Sequence, residues 1–298
     1  MNSLAFTQYL NRLPQQPSTG TRLWKDDMGC VQGSFFNSTL TSSFQPIRLL
    51  QSRRIVGVEA FARGVTPDNG LSVWRLLNNA ASNDESIELD RLCRLVHTIN
   101  YFRQHPLPQW SLYLNVHERL LAAVAGNHGE LFRRVLDSLQ LPYQRLVLQL
   151  PAVSSRQGWA LLQVVESYRR HGFRFSVQAR SLSDAGDLLD TVQPSILRVN
   201  ASDATDYAAV LDLLKRAEKK NVLVIFQQLE RSEEYLRLQR LAYSQRLPLY
   251  IQGYFLDTPS VDLPLPKRVL LGRPAVVRFY PASPVRERDK ETAYAVRG

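Results

Sequence analysis

Two cysteines in 298 residues, Cys30 and Cys93, are too few to staple a chain of this length, which excludes a disulfide-built secreted scaffold. With no paired or charged motif around them they read as inert thiols, and a reduced, cytoplasmic setting is expected. No run of about 18 apolar residues occurs, so no membrane-spanning helix is expected. The first twenty residues, MNSLAFTQYLNRLPQQPSTG, lack a basic opening and a long apolar stretch, so no secretory signal is expected. Five histidines (His97, His105, His117, His128 and His171) show no ligand spacing, and no resident metal or cofactor is expected from them. The remaining composition, 44% hydrophobic and 21% charged, is that of an ordinary folded protein and excludes collagen-like and low-complexity classes.

What is present in excess is positive charge. Thirty-seven Lys and Arg against 27 Asp and Glu give a formal net charge of +10. Such a balance favours an anionic partner, whether nucleotide, nucleic acid, lipid or acidic protein face. The arginines are spread along the chain, however, and the densest stretch is the tail, from Lys267 to Lys290. Solubility explains most of this charge, and no nucleic-acid-binding module accompanies it.

Three regions follow from the pattern. Residues 1–40 are rich in Ser, Thr, Gln and Asn and read as a leader or accessory segment. Residues 263–298 are a Pro- and Arg-rich extension in which 269–271 and 276–280 could pair as short strands. Between them, residues 41–262 alternate short apolar strands with amphipathic helices. Strands are expected at 43–50, 55–62, 112–116, 146–150, 173–177, 196–199, 222–226 and 250–252. Helices are expected at 87–103, 118–125, 129–139, 157–172, 183–189, 203–220 and 232–245. Alternation of this kind specifies parallel βα units, and about eight strands fit a closed (β/α)8 TIM-like barrel of the α/β class. The tight turn at 51–53 makes the first two strands a hairpin, so the first runs antiparallel.

In such barrels the chemistry stands at the carboxyl ends of the strands. There the sequence places Glu59 and Arg63, then Asn115, Gln149, Gln178, Arg198 with Asn200, Gln227 with Gln228, and Gln252. This ring can hydrogen-bond a ligand. It contains one carboxylate, whereas hard divalent cations need several anionic oxygens. It offers no effective general base either, because arginine stays protonated and amides are not basic.

Two segments carry a family resemblance. FQPIRLLQSRRIVGVEAFAR, residues 44–63, resembles the opening of EAL domains, the cyclic-di-GMP phosphodiesterases, in Gln45, Pro46, Gly57, Glu59, Ala60 and Arg63; Phe61 replaces the signature leucine. YIQGYFLDTP, residues 250–259, resembles the family's closing motif in Gln252, Gly253, Tyr254 and Pro259, and LYLNVH, residues 112–117, keeps its asparagine as Asn115. The resemblance implies a (β/α)8 barrel with an antiparallel first strand and spans about 43–260. It also implies that the two catalytic metal ions would be held by the positions of Glu59, Gln149, Gln178, Ala179 and Gln227, and that Arg198 stands where the family has a catalytic lysine. Only Glu59 among those ligand positions is an acid.

The resemblance therefore implies a degenerate, catalytically inactive member, a regulator that acts through contact with a protein partner in motility, biofilm or virulence control. An alternative is a metal-independent cyclic-di-GMP receptor, for which Gln45, Arg63, Glu230, Gln252 and Tyr254 are the candidate nucleotide contacts. The replacement of the family's Asp-Asp-Phe-Gly by Gln178, Ala179, Arg180 and Ser181 favours the protein-contact reading. A homodimer is implied as well, through elements near that altered stretch. Glu59 is expected to pair with Arg198 or Arg63 rather than with a metal.

Overall fold

The computed structural model describes residues 3–16, 22–36, 38–65, 82–105, 109–117, 128–152 and 158–264. The chain divides into two units, Met1–Pro266 and Lys267–Gly298. The second unit lies outside the described residues, and so do the strands expected at 269–271 and 276–280 and the helix expected at 118–125.

Helix α1 (Leu4–Arg12) is followed by β1 (Leu23–Lys25), β2 (Val31–Phe35), β3 (Ser38–Leu49) and β4 (Ile55–Gly64). Helix α2 (Asn83–Gln104), β5 (Ser111–Asn115), α3 (His128–Ser138), β6 (Leu146–Leu150), α4 (Gly158–Arg170) and β7 (Arg174–Gln178) come next. The order closes with α5 (Leu182–Thr191), β8 (Ile196–Asn200), α6 (Tyr207–Lys219), β9 (Leu223–Gln227), α7 (Ser232–Gln245) and β10 (Tyr250–Ile251).

The strands run β3-β10-β9-β8-β7-β6-β5-β4 and close because β3 also pairs with β4. From β4 to β10 every neighbour is parallel, while β3 is antiparallel to both β4 and β10. The expected barrel with an antiparallel first strand is thus the fold. β3 starts five residues before the expected Ser43, because Leu40 packs against Leu89, Leu92 and Val96 of α2 and Ser38–Leu40 pair with β2.

Local signals set the helix ends. Ser82 and Glu85 form a reciprocal capping box at the start of α2, satisfying amides that have no partner within the helix. Asp206 accepts from the amides of Ala208 and Ala209 at the start of α6. Gly172, at φ +75°, ends α4 with its amide on Arg169 and that of Phe173 on Tyr168, the left-handed closure that glycine adopts without strain.

Inside the barrel, Ile47, Tyr113, Val147, Ile196 and Ile225 form a buried apolar layer. Outside it, two larger clusters bury the helices on either side, one including Val58, Leu112, Leu148 and Phe175, the other Leu197, Val224, Phe226 and Leu238. Side chains two residues beyond the interior layer must point to the same axis one layer higher, by the alternation of strands. Among the described residues no helix is long and apolar enough to cross a membrane.

Candidate functional site at the barrel mouth

The layer above Ile47, Tyr113, Val147, Ile196 and Ile225 is entirely polar. It contains Gln45, Glu59, Asn115, Gln149, Arg198, Gln227 and Gln252. All but Asn115 are buried, and Glu59 and Arg198 are each 5% exposed.

Glu59 is the hub. Its Oε1 accepts from Asn115 Nδ2 at 3.0 Å, and its Oε2 accepts from Arg198 Nη2 at 2.8 Å and Gln252 Nε2 at 2.9 Å. Burial alone would push this carboxyl up, but the Arg198 guanidinium and the amides of Asn115, Gln252 and Gln149 outweigh it and hold it below the usual carboxylate range. Glu59 is therefore an anion with both oxygens engaged.

Arg198 is the second hub. Its Nε donates to Gln227 Oε1 at 2.5 Å and its Nη2 also reaches Gln252 Oε1 at 2.5 Å. The network then spreads outward. Gln149 Nε2 donates to Asn115 Oδ1 at 3.1 Å, Gln227 Nε2 to Asn200 Oδ1 at 3.0 Å, and Gln252 Nε2 to Gln45 Oε1 at 3.0 Å. Gln45 Nε2 in turn donates to the carbonyl of Asp257 at 2.8 Å. Three buried polar atoms on consecutive strands have no hydrogen-bond partner: Gln149 Oε1 on β6, Ser176 Oγ on β7 and Arg198 Nη1 on β8.

The closing turn fixes Gln252 in place. The Arg48 guanidinium grips Asp257 with Nε at 2.6 Å and Nη2 at 2.7 Å. A Cβ on Gly253 would stand 2.1 Å from the Leu229 carbonyl oxygen and 2.3 Å from its nitrogen. This close approach lets Leu229 donate to the Gln252 carbonyl at 3.0 Å, while Phe255 donates to that of Leu229 at 3.0 Å.

The structure brings Gln45, Glu59, Asn115, Gln149, Arg198, Gln227 and Gln252 into one network, and the ion pair of Glu59 forms with Arg198 rather than Arg63. Gln178 is half-buried, one strand from Gln149 and opposite Arg198 in register. Ala179 turns away into the apolar cluster outside the barrel, and only its amide, bonded to the Arg198 carbonyl at 2.9 Å, reaches this neighbourhood. Arg63 is exposed at the end of β4, Glu230 is exposed beyond β9, and Tyr254 is 61% exposed on the closing turn. Ser176 was missed by sequence reasoning, although it lies two residues before Gln178 on the same strand face. Asp257 and Arg48 were missed as well, because their pairing depends on a return of the chain that no local pattern signals.

Among the described residues, no group of three or more His, Cys, Asp and Glu side chains stands together as a metal site. His97 is buried instead against Ser42, Nδ1 to Oγ at 2.8 Å, and burial pushes its pKa down to about 3.

Comparison with known proteins adds the following. The sequence model of the EAL domain matches residues 30–259. No curated protein matches the chain. Among solved structures, the Bacillus subtilis YkuI protein, which has an EAL domain and was crystallised with cyclic-di-GMP and calcium, is 18% identical with a TM-score of 0.59; the match covers 76% of this chain and 56% of that one. This chain thus spans little more than half of that protein. A standalone EAL protein of Vibrio cholerae O395, bound to cyclic-di-GMP, is 20% identical over 77% of this chain and 96% of its own, with a TM-score of 0.58. Klebsiella pneumoniae BlrP1, in a manganese and cyclic-di-GMP complex at pH 6, is 19% identical over 75% of this chain and 57% of its own, with a TM-score of 0.62. At these identities the likeness is one of fold.

Proposed function

This chain belongs to the EAL-domain family of cyclic-di-GMP signalling, and from that membership we propose that it is a non-hydrolysing regulator that works in the cytoplasm by binding a protein partner. The observation that carries the reading is the charge of the barrel mouth. Of the positions where the family resemblance places metal ligands, only Glu59 is an acid, and both of its oxygens are already held by Asn115, Arg198 and Gln252.

The metal ions of the family do not fit this donor set. A pair of divalent cations needs several anionic oxygens around it. Here neutral amides stand at Gln149, Gln178 and Gln227, a buried methyl at Ala179, and a guanidinium lies 2.8 Å from the one carboxylate. A cation placed beside Glu59 would have to displace that guanidinium and would meet its positive charge. Without the ions nothing in the layer generates hydroxide, since Glu59, with both oxygens engaged and its pKa lowered by its donors, is too weak a base and the amides cannot take a proton. A barrel that cannot cut its ligand keeps its value as a surface for holding a partner.

A second reading, a metal-independent cyclic-di-GMP receptor, is favoured by one observation. Arg63 remains exposed at the end of β4 and outside the Glu59 network, free to grip a phosphate bidentately. Titration calorimetry with cyclic-di-GMP, with and without Mg²⁺, separates the two. The protein-contact reading expects no heat of binding in either buffer. Micromolar binding without metal that disappears in Arg63→Ala replaces it with the receptor reading.

A further inference from the structure

We propose that Arg198 is the resident cation of this barrel and Glu59 its fixed counter-ion, a pair that sets the specificity of the mouth by excluding phosphodiesters. The proposal rests on the non-hydrolysing reading above and names what the altered site selects against.

The geometry begins with strand alternation. Arg198 lies two residues beyond Ile196 of the interior layer, so its side chain is aimed at the barrel axis, and it is 5% exposed there. A buried guanidinium carries a large desolvation cost unless its charge is matched. Glu59 matches it at 2.8 Å, and the Oε1 atoms of Gln227 and Gln252 accept two further N–H groups. The polar layer of Gln45, Glu59, Asn115, Gln149, Gln178, Arg198, Gln227 and Gln252 therefore sums to one positive and one negative charge. A phosphodiester monoanion entering this neutral layer would lose its hydration and find no unmatched cation in return. It would also face the Glu59 carboxylate at the one place where Arg198 could receive it.

Removing the charge of Glu59 reverses that balance. The guanidinium would keep its charge, Nη1 already has no partner, and Nη2 would be released from the carboxylate. Two adjacent N–H edges of an uncompensated guanidinium are the geometry that grips a phosphate. Exposed Arg63 and Glu230 beyond the strand ends are the same in every variant compared.

The test uses the full chain without metal and cyclic-di-GMP as the probe, in three forms: unaltered, Glu59→Gln, and Glu59→Gln with Arg198→Gln. Glu59→Gln is expected to bind at least about tenfold tighter than the unaltered chain, a gain of about 1.4 kcal/mol, and the double variant is expected to lose that gain. No gain in Glu59→Gln, or a gain that persists in the double variant, overturns the proposal. Binding by the unaltered chain that disappears in Arg63→Ala lies outside this layer and would sink the protein-contact reading; exclusion from the Arg198 layer then stands only if Glu59→Gln binds tighter still and the double variant loses that gain. Should Glu59→Gln not fold, the unaltered chain decides. The Arg198 Nε–H resonance is expected to stay in place as millimolar inorganic phosphate is added, and a saturable shift of it overturns the proposal.

Discussion

At the scale of single residues, the Glu59–Arg198 pair dominates the energetics of the mouth. Both side chains are nearly sealed, 7% and 6% exposed, so the pair as a whole contributes little net stability while either partner left alone is costly. Arg198→Gln, which strands the carboxylate, is expected to destabilise the fold by about 3–5 kcal/mol in chemical denaturation. The double variant Glu59→Gln with Arg198→Gln is expected to recover most of that loss, and a recovery below a third would show that Arg198 acts mainly by packing. The positions of Glu59, Asn115, Gln149, Arg198, Gln227 and Gln252 were legible because each is a polar residue within or just after an otherwise apolar strand, and period-two alternation places them all on the inner face. The choice of Arg198 over Arg63 as partner was not legible. Arg63 is closer in sequence, but it extends past the mouth into solvent.

Elements were legible where their own sequence sets them. The helices with apolar stripes were found within a few residues, and α7 to the residue. β1 and β2 were not, for a physical reason. β1 has three residues, and β2 is held largely by tertiary contacts. Asn100 of α2 mimics a neighbouring strand, accepting from the Val31 amide at 2.8 Å and donating to its carbonyl at 2.8 Å. Contacts from a helix some 70 residues downstream leave no local mark. The closing turn after β10 offers the sharpest test at this scale. Gly253→Ala would drive a methyl into the backbone of Leu229, which cannot rotate away as a side chain could. A loss of about 1–3 kcal/mol or more is expected in urea denaturation, and a change under about 0.5 kcal/mol would contradict the packing described here.

For the molecule as a whole, stability should fall in acid. His97 is buried neutral with its pKa lowered to about 3, against about 6.5 in an unfolded chain. The unfolded state thus binds the extra proton between those values, and stability is lost as pH falls through that window, by up to about 1.4 kcal/mol per pH unit. Glu59, also lowered, adds its loss at the acidic end, once pH drops below the ordinary range of a carboxylate. Thermal unfolding between pH 7 and 4 should show this decline, and His97→Gln should flatten it; an unchanged slope would mean that the imidazole is hydrated in the fold. The closed barrel was legible from the count and order of strands, because about eight short strands alternating with helices, the first of them in a hairpin, fit a closed barrel better than an open sheet. The proposed loss of catalysis rests on charge, which sequence also displays, and so it can be tested directly. The most direct measurement is incubation of the purified chain with cyclic-di-GMP and Mg²⁺ or Mn²⁺, followed by chromatographic separation of the products. The intact dinucleotide should be recovered at the level of a protein-free blank. Linear product above that blank, abolished by Glu59→Ala, would contradict the account.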